Sequence, residues 1–81
     1  MARFMNRALA GVLRQLRLER GLTQEELGME CGLHRTFISQ LERGLKSPSL
    51  YTIFRLAAAL AIEPDELVRR VALKVRRTSD D

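Results

Sequence analysis

Five polar side chains of residues 35–43, apart from Glu42, have hydrogen-bonding groups that are the clearest chemical feature of this sequence. They are Arg35, Thr36, Ser39, Gln40 and Arg43. On an α-helix they would share one side, because Ile38 and Leu41 fall on the other. Guanidinium and amide groups bind purine edges with paired hydrogen bonds, and hydroxyl groups bind bases or phosphates. The pattern predicts a helix that contacts nucleic acid through its polar side, with Lys46 as a further phosphate contact.

Such a helix needs neighbours to hold it, and turn signals divide the chain into five helical segments. The predicted segments are 4–20, 23–31, 35–43, one that begins after Ser49, and about 64–76. Apolar residues recur at helical spacing within them, and no alternating run rich in β-branched residues indicates a strand. The sequence therefore predicts an all-α fold in a single domain spanning residues 1–81, with 78–81 as a loose tail.

The second and third segments have the start and stop signals of a helix-turn-helix. Thr23 and Glu26 have the spacing of a capping box, in which each side chain accepts a hydrogen bond from the other residue's backbone amide. Gly32 provides a left-handed stop after Cys31, and a short turn leads to the third segment. In a helix-turn-helix the second helix enters the major groove while the first lies across the DNA backbone. Residues 23–43 match this arrangement, although a plain helical hairpin has similar spacing.

Composition favours an intracellular protein with an anionic partner. The 14 Lys and Arg exceed the 10 Asp and Glu, for a net charge of +4, which favours a polyanion such as nucleic acid. Cys31 is the only cysteine, so an intrachain disulfide is excluded and a reducing cytoplasm is expected. The longest apolar run, residues 56–62, is far shorter than the ~20 residues that cross a bilayer, and no secretory signal is evident. We expect a cytoplasmic protein with no membrane partner.

Four motifs together closely resemble the lambda-repressor-like, or XRE-type, helix-turn-helix family. They are LTQEEL at 22–27, GLHRTFISQLERG at 32–44, PSL at 48–50 and PDEL at 64–67, so that the resemblance covers residues 9–68. Within the family, RTFISQLERG is most similar to the short controller proteins of restriction-modification systems. The resemblance implies a sequence-specific transcription regulator that binds double-stranded DNA, either an autoregulating controller or a small phage-type repressor.

The resemblance also implies roles for individual residues. The family's base-contacting positions are occupied here by Arg35, Thr36 and Gln40, and its backbone-contacting positions by Gln24, Ser39 and Arg43. Arg17 and Glu42 match a buried ion pair between the first helix and the third. Three residues depart from the family pattern: His34 where an N-cap Ser or Asp is usual, Ala61 where Gly is common, and Gly28 where Ala is usual.

Apolar residues of the fifth segment continue past the point where the family core is closed. They recur at helical spacing, as Leu67, Val68, Val71, Ala72 and Val75. Such a stripe would face water unless something covers it. We expect a second copy of the chain, in a two-fold homodimer that sets two third helices about one DNA turn, ~34 Å, apart on a palindromic operator. Packing of the stripe against the first helix is the alternative.

Functions other than DNA binding have weaker support in the sequence. It contains no paired carboxylates, metal-ligand cluster or phosphate-binding glycine loop, so we expect no enzyme activity, cofactor, metal or small-molecule ligand. Glu25, Glu26 and Glu30 leave open an acidic contact with RNA polymerase, although capping and a solvated face also explain them. Two alternatives stay open: an antitoxin that binds its toxin through residues after Val68, and a protein-interaction module on the same scaffold without DNA contact.

Overall fold

A computed structural model describes residues 2–80, and over that range the chain forms five α-helices and no strand. They are α1 (Ala2–Glu19), α2 (Gln24–Cys31), α3 (Arg35–Glu42), α4 (Leu50–Ala59) and α5 (Pro64–Asp80). This confirms the predicted all-α fold, and the bounds of α2 and α3 agree with the prediction to within one residue. No helix in the same range is both long and apolar enough to cross a membrane.

The first and last helices extend further than predicted. α1 begins at Ala2 rather than at residue 4, and α5 runs to Asp80 rather than to about residue 76. Neither Gly nor Pro follows Pro64 in the sequence, so no helix-breaking residue interrupts α5. Arg77 in its last turn also interacts favourably with the helix dipole. The predicted loose tail is therefore helical in its backbone up to Asp80, and residue 81 lies outside the described range.

Side-chain caps start α2 and α4 at the predicted residues. The amide of Glu26 donates to Thr23 Oγ1 at 3.0 Å, and the amide of Thr23 donates to Glu26 Oε1 at 2.8 Å. At α4, the amide of Thr52 donates to Ser49 Oγ at 3.1 Å. Each cap satisfies an amide that has no partner inside its own helix. Local signals thus fix where α2 begins, and α2 in turn sets the position of the turn and of α3.

Helices α1 to α4 end alike, with a left-handed residue and a hydrogen bond that closes the last turn. The amide of Leu33 donates to the carbonyl of Gly28 at 2.8 Å after α2, and the amide of Ile62 donates to that of Ala57 at 3.0 Å after α4. The left-handed residues are Gly21, Gly32, Gly44 and Ala61. At Ala61 φ is +57°, a conformation that costs a residue with a Cβ about 1–2 kcal/mol. The alanine therefore leaves strain at the end of α4.

We expect Ala61→Gly to raise the free energy of unfolding by about 0.5–1 kcal/mol. Glycine removes the left-handed strain, and its larger entropy in the unfolded chain offsets part of the gain. Ala58→Gly is the matched control, because Ala58 is exposed within α4 and its replacement should destabilise the protein by about 0.5–1 kcal/mol. Urea denaturation of both variants checks the prediction. A loss of stability in both would mean that Ala61 is not strained.

The core lies between the five helices and holds α3 through two fully buried side chains. The largest core residues are Leu13, Leu27, Ile38, Leu41, Leu56 and Leu67, with at least one from each helix. Ile38 and Leu41 are the α3 members, and Phe37 packs half-buried against the same core. Burial of this apolar side fixes the rotation of α3 about its axis. The polar side of α3 is thereby turned toward solvent.

Candidate nucleic-acid interface

The solvent side of α3 presents the polar residues that the sequence singled out. Arg35, Thr36 and Arg43 are exposed, whereas Ser39 and Gln40 are half-buried. We call these five residues the α3 face. Lys46 is exposed in the loop that follows. Guanidinium, amide and hydroxyl groups on one surface can bind both base edges and phosphates.

An imidazole cap fixes the first turn of α3. The backbone of His34 is extended, and its Nδ1 accepts a hydrogen bond from the amide of Thr36 at 3.0 Å. This nitrogen accepts only when it carries no proton. The histidine therefore does the work that Ser or Asp does at other N-caps. It holds the backbone of Thr36, and with it the neighbouring Arg35, at the start of the α3 face.

A buried ion pair joins α3 to α1 at the other end of the α3 face. Arg17 Nε lies 2.6 Å from Glu42 Oε2, and Arg17 Nη2 lies 2.9 Å from Glu42 Oε1. The remaining Nη1 donates to the carbonyl of Leu22 at 2.8 Å. The Arg17 and Glu42 side chains are only 10% and 3% exposed. The hydrogen bond to Glu42 raises the pKa of the Arg17 guanidinium, against the opposing effect of burial, so the guanidinium stays charged.

Gln24 is attached to this ion pair. Its Nε2 donates to Glu42 Oε1 at 3.2 Å, which places the predicted phosphate-contacting side chain at the start of α2 and links α2 to α3. The sequence analysis did not predict this contact, because the two residues are 18 positions apart and only the packing of α2 on α3 brings them together. The carboxylate of Glu42 on α3 therefore binds one residue of α1 and one residue of α2.

A second contact between α2 and α3 was also absent from the sequence analysis. Glu25 Oε2 lies 3.6 Å from Arg35 Nη1, and both side chains are 65% exposed. The same carboxylate borders a shallow depression with Met29, Leu33 and His34. The first residue of the α3 face thus has an acidic neighbour on its solvent side.

The thiol of Cys31 and the grouping of possible metal ligands decide what other chemistry the described residues could support. Cys31 is buried at the end of α2 and lies 3.8 Å from the carbonyl oxygen of Arg55. Burial raises the pKa of the Cys31 thiol, which disfavours the nucleophilic thiolate. In the described part of the chain, no three His, Cys, Asp or Glu side chains are grouped closely enough to hold a metal ion.

The apolar stripe of α5 divides between the core and the surface. Leu67 is fully buried in the core, which corrects its assignment to a dimer interface, since it has no surface to offer a second chain. Val71 packs half-buried against the core as well. Val68 is 50% exposed, and Ala72 and Val75 are half-buried. Leu67 and Val71 thus pack internally, as the alternative to a dimer interface predicts. Val68, Ala72 and Val75 form the outward part of the stripe, which remains available for contact with a second chain.

α4 also exposes apolar residues. Leu50 and Phe54, one helical turn apart, are 71% and 53% exposed. Between them Ile53 lines an apolar groove of about 320 Å³ that is shared with Val68 and with Met5 of α1. We call Leu50, Phe54, Val68, Ala72 and Val75 the α4–α5 surface. Leu50 and Phe54 were not predicted as part of it, because core spacing on α4 selects Ile53, Leu56, Ala57 and Leu60 instead.

Comparisons with known proteins find this architecture among transcription regulators. Residues 13–67 match the family model HTH_3, a helix-turn-helix. The chain is 44% identical over 57 residues to control protein C.BamHI of Bacillus amyloliquefaciens, covering 69% of this chain and 70% of that protein. The crystal structure of the restriction-modification controller C.AhdI of Aeromonas hydrophila has a TM-score of 0.74 and 44% identity, covering 76% of this chain and 94% of that one.

A further solved structure includes DNA. It is the restriction-modification controller C.Esp1396I, a tetramer in complex with its natural 35-base-pair operator. Its TM-score is 0.80 at 25% identity, and the match covers 89% of this chain and 95% of that one.

Proposed function

Because the chain belongs to the HTH_3 helix-turn-helix family and is a DNA-binding transcription regulator, we propose that it binds a palindromic operator as a homodimer. The α3 face is the observation that supports this most directly, since it is turned outward by Ile38 and Leu41. We assign base contacts to Arg35, Thr36 and Gln40. The backbone contacts fall to Gln24, Ser39, Arg43 and Lys46.

The homodimer is supported by the small size of the unit that reads DNA. One α3 face spans only a few base pairs, and two-fold pairing doubles the sequence that is read. The α4–α5 surface exposes apolar side chains that a second copy would cover. The controller C.Esp1396I occupies its operator as a tetramer, which is consistent with self-association in this chain.

We further propose that the regulator is the controller of a restriction-modification system and acts on its own operon. The similarity to C.BamHI and C.AhdI supports this assignment. Occupancy of the operator would then follow protein concentration through the dimerisation equilibrium. Such a protein has no enzymatic role and works in the cytoplasm, where its DNA is. The acidic residues of α2 are Glu25, Glu26 and Glu30. A contact between them and RNA polymerase would suit a regulator that activates transcription.

We expect Arg35→Ala to weaken binding to the operator by about 10- to 100-fold, because an arginine that grips guanine with two hydrogen bonds contributes about 1–3 kcal/mol of discrimination. Binding to random DNA should fall much less. The measurement is fluorescence anisotropy with the DNA upstream of the gene, after footprinting has located the operator, and with a scrambled duplex of equal length.

Lys46→Ala is the matched control for a phosphate contact. It should weaken binding to both duplexes alike and reduce the slope of the logarithmic salt plot by about one unit for each bound protomer. Equal losses on both duplexes for Arg35→Ala would make Arg35 a backbone contact as well. Failure of the wild-type protein to protect any segment of the upstream DNA would contradict autoregulation.

A further inference from the structure

We propose that Glu25 is a specificity-determining residue, which positions the Arg35 guanidinium and biases it toward a guanine edge over a phosphate. The inference rests on the proposed base contact of Arg35. Its starting point is the ion pair between Glu25 Oε2 and Arg35 Nη1, 3.6 Å apart, which joins α2 to the first residue of α3.

Stability alone does not account for this pair. Both side chains are 65% exposed, and exposed ion pairs contribute little to folding because water and salt screen them while two long side chains lose freedom. The α2–α3 connection is already fixed by the Gly28–Leu33 hydrogen bond and by the buried Glu42 carboxylate. The pair should therefore matter more for DNA binding than for folding stability.

The geometry leaves Arg35 able to bind DNA while it is held by Glu25. A guanidinium has five N–H donors in a planar fork, and the contact with Glu25 involves Nη1. The N–H groups on Nε and Nη2 are further donors of the same fork, and they can bind the two acceptors of guanine. Since Arg35 is otherwise a flexible side chain on the surface, this contact reduces the number of conformations that it must give up on binding.

The charge of Glu25 supplies the selectivity. A phosphate that approached Arg35 would also approach the Glu25 carboxylate, and like charges repel. The edge of a guanine carries no net charge, so its acceptors meet a much weaker repulsion. Phosphate contacts of Arg35 can form on DNA of any sequence, and Glu25 weakens them more than it weakens the contact with guanine. Specificity then comes from exclusion of the wrong partner.

The test compares Glu25→Gln with Glu30→Gln. Both residues are exposed on α2, both changes remove one negative charge, and the ion pair with Arg35 involves Glu25. Glu25→Gln should reduce the ratio of operator affinity to random-DNA affinity by about fivefold to tenfold. Glu30→Gln should strengthen binding to both duplexes alike and leave the ratio unchanged. Thermal unfolding of both variants checks that each remains folded.

Coupling to Arg35 distinguishes the inference from the function on which it rests. In an Arg35→Ala background, Glu25→Gln should no longer change the affinity ratio. If Arg35→Ala loses operator binding selectively but Glu25→Gln and Glu30→Gln have the same ratio, Glu25 acts as net charge only and the inference is wrong. If Arg35→Ala weakens both duplexes equally, the base contact itself is wrong. A ratio that falls for Glu25→Gln to the same extent with and without Arg35 would also overturn the positioning role.

Discussion

Glu42→Ala is expected to lower the free energy of unfolding by about 3–5 kcal/mol, because it leaves the Arg17 guanidinium buried without its counter-charge. The Arg17 side chain is only 10% exposed and makes two hydrogen bonds to Glu42. The same change removes the acceptor of Gln24. The loss is measured by urea denaturation. If the alanine variant is unfolded in buffer, Glu42→Gln keeps one acceptor for Arg17 and provides a measurable intermediate.

Two controls separate burial of charge from loss of a contact. Arg70 and Glu66 form a half-exposed i,i+4 pair at 3.1 Å, with side chains 41% and 42% exposed, respectively, so Glu66→Ala should cost no more than about 0.5 kcal/mol. The double variant Arg17→Met with Glu42→Leu removes both charges and should recover most of the loss. A cost for Glu42→Ala as small as that for Glu66→Ala would show that the Arg17–Glu42 pair does not hold α3 against α1.

The fold was predictable where a local signal decides it. Helix ends are determined within a few residues of chain by the hydroxyls of Thr23 and Ser49 and by the glycine at position 32. The sequence therefore reveals α2, the turn and the start of α4. The end of α5 was not predictable in this way, because the end of a helix that lacks Gly or Pro depends on packing and dipole effects. The strain at Ala61 is visible only in the backbone angle of the folded chain, since alanine is itself a strong helix former.

The candidate site was predictable in its residue types but not in its connections. Helical periodicity alone places the α3 face opposite Ile38 and Leu41. The contacts of Glu42 with Gln24 and of Glu25 with Arg35 join different helices, and their existence depends on how α2 packs on α3. Apolar periodicity likewise could not separate Leu67, which the core encloses, from Val68 one residue later, which it leaves half exposed.

This division of α5 determines how the proposed dimer interface can be tested. A charge at Val71 would enter the core as well as the interface, because Val71 packs against the core, and loss of dimer could not be told from loss of fold. Val68 avoids this problem, since it is 50% exposed and lines the groove shared with Ile53. Leu73 provides the comparison: it is 44% exposed but borders Val12 and Gln15 on another side of α5.

Val68→Asp is expected to convert the dimer to a monomer and to weaken operator binding by about 100-fold or more, because the two half-sites are then no longer bound as one unit. A carboxylate buried at a two-fold interface is unpaired and close to its symmetry-related copy. Loss of hydration and like-charge repulsion therefore both oppose association. Leu73→Asp should remain dimeric with near wild-type operator affinity. Sedimentation velocity at micromolar concentration and operator titration measure the two effects, with circular dichroism to confirm that both variants are folded. Identical sedimentation of the two variants, whether as monomers or as dimers, would place the interface away from the α4–α5 surface.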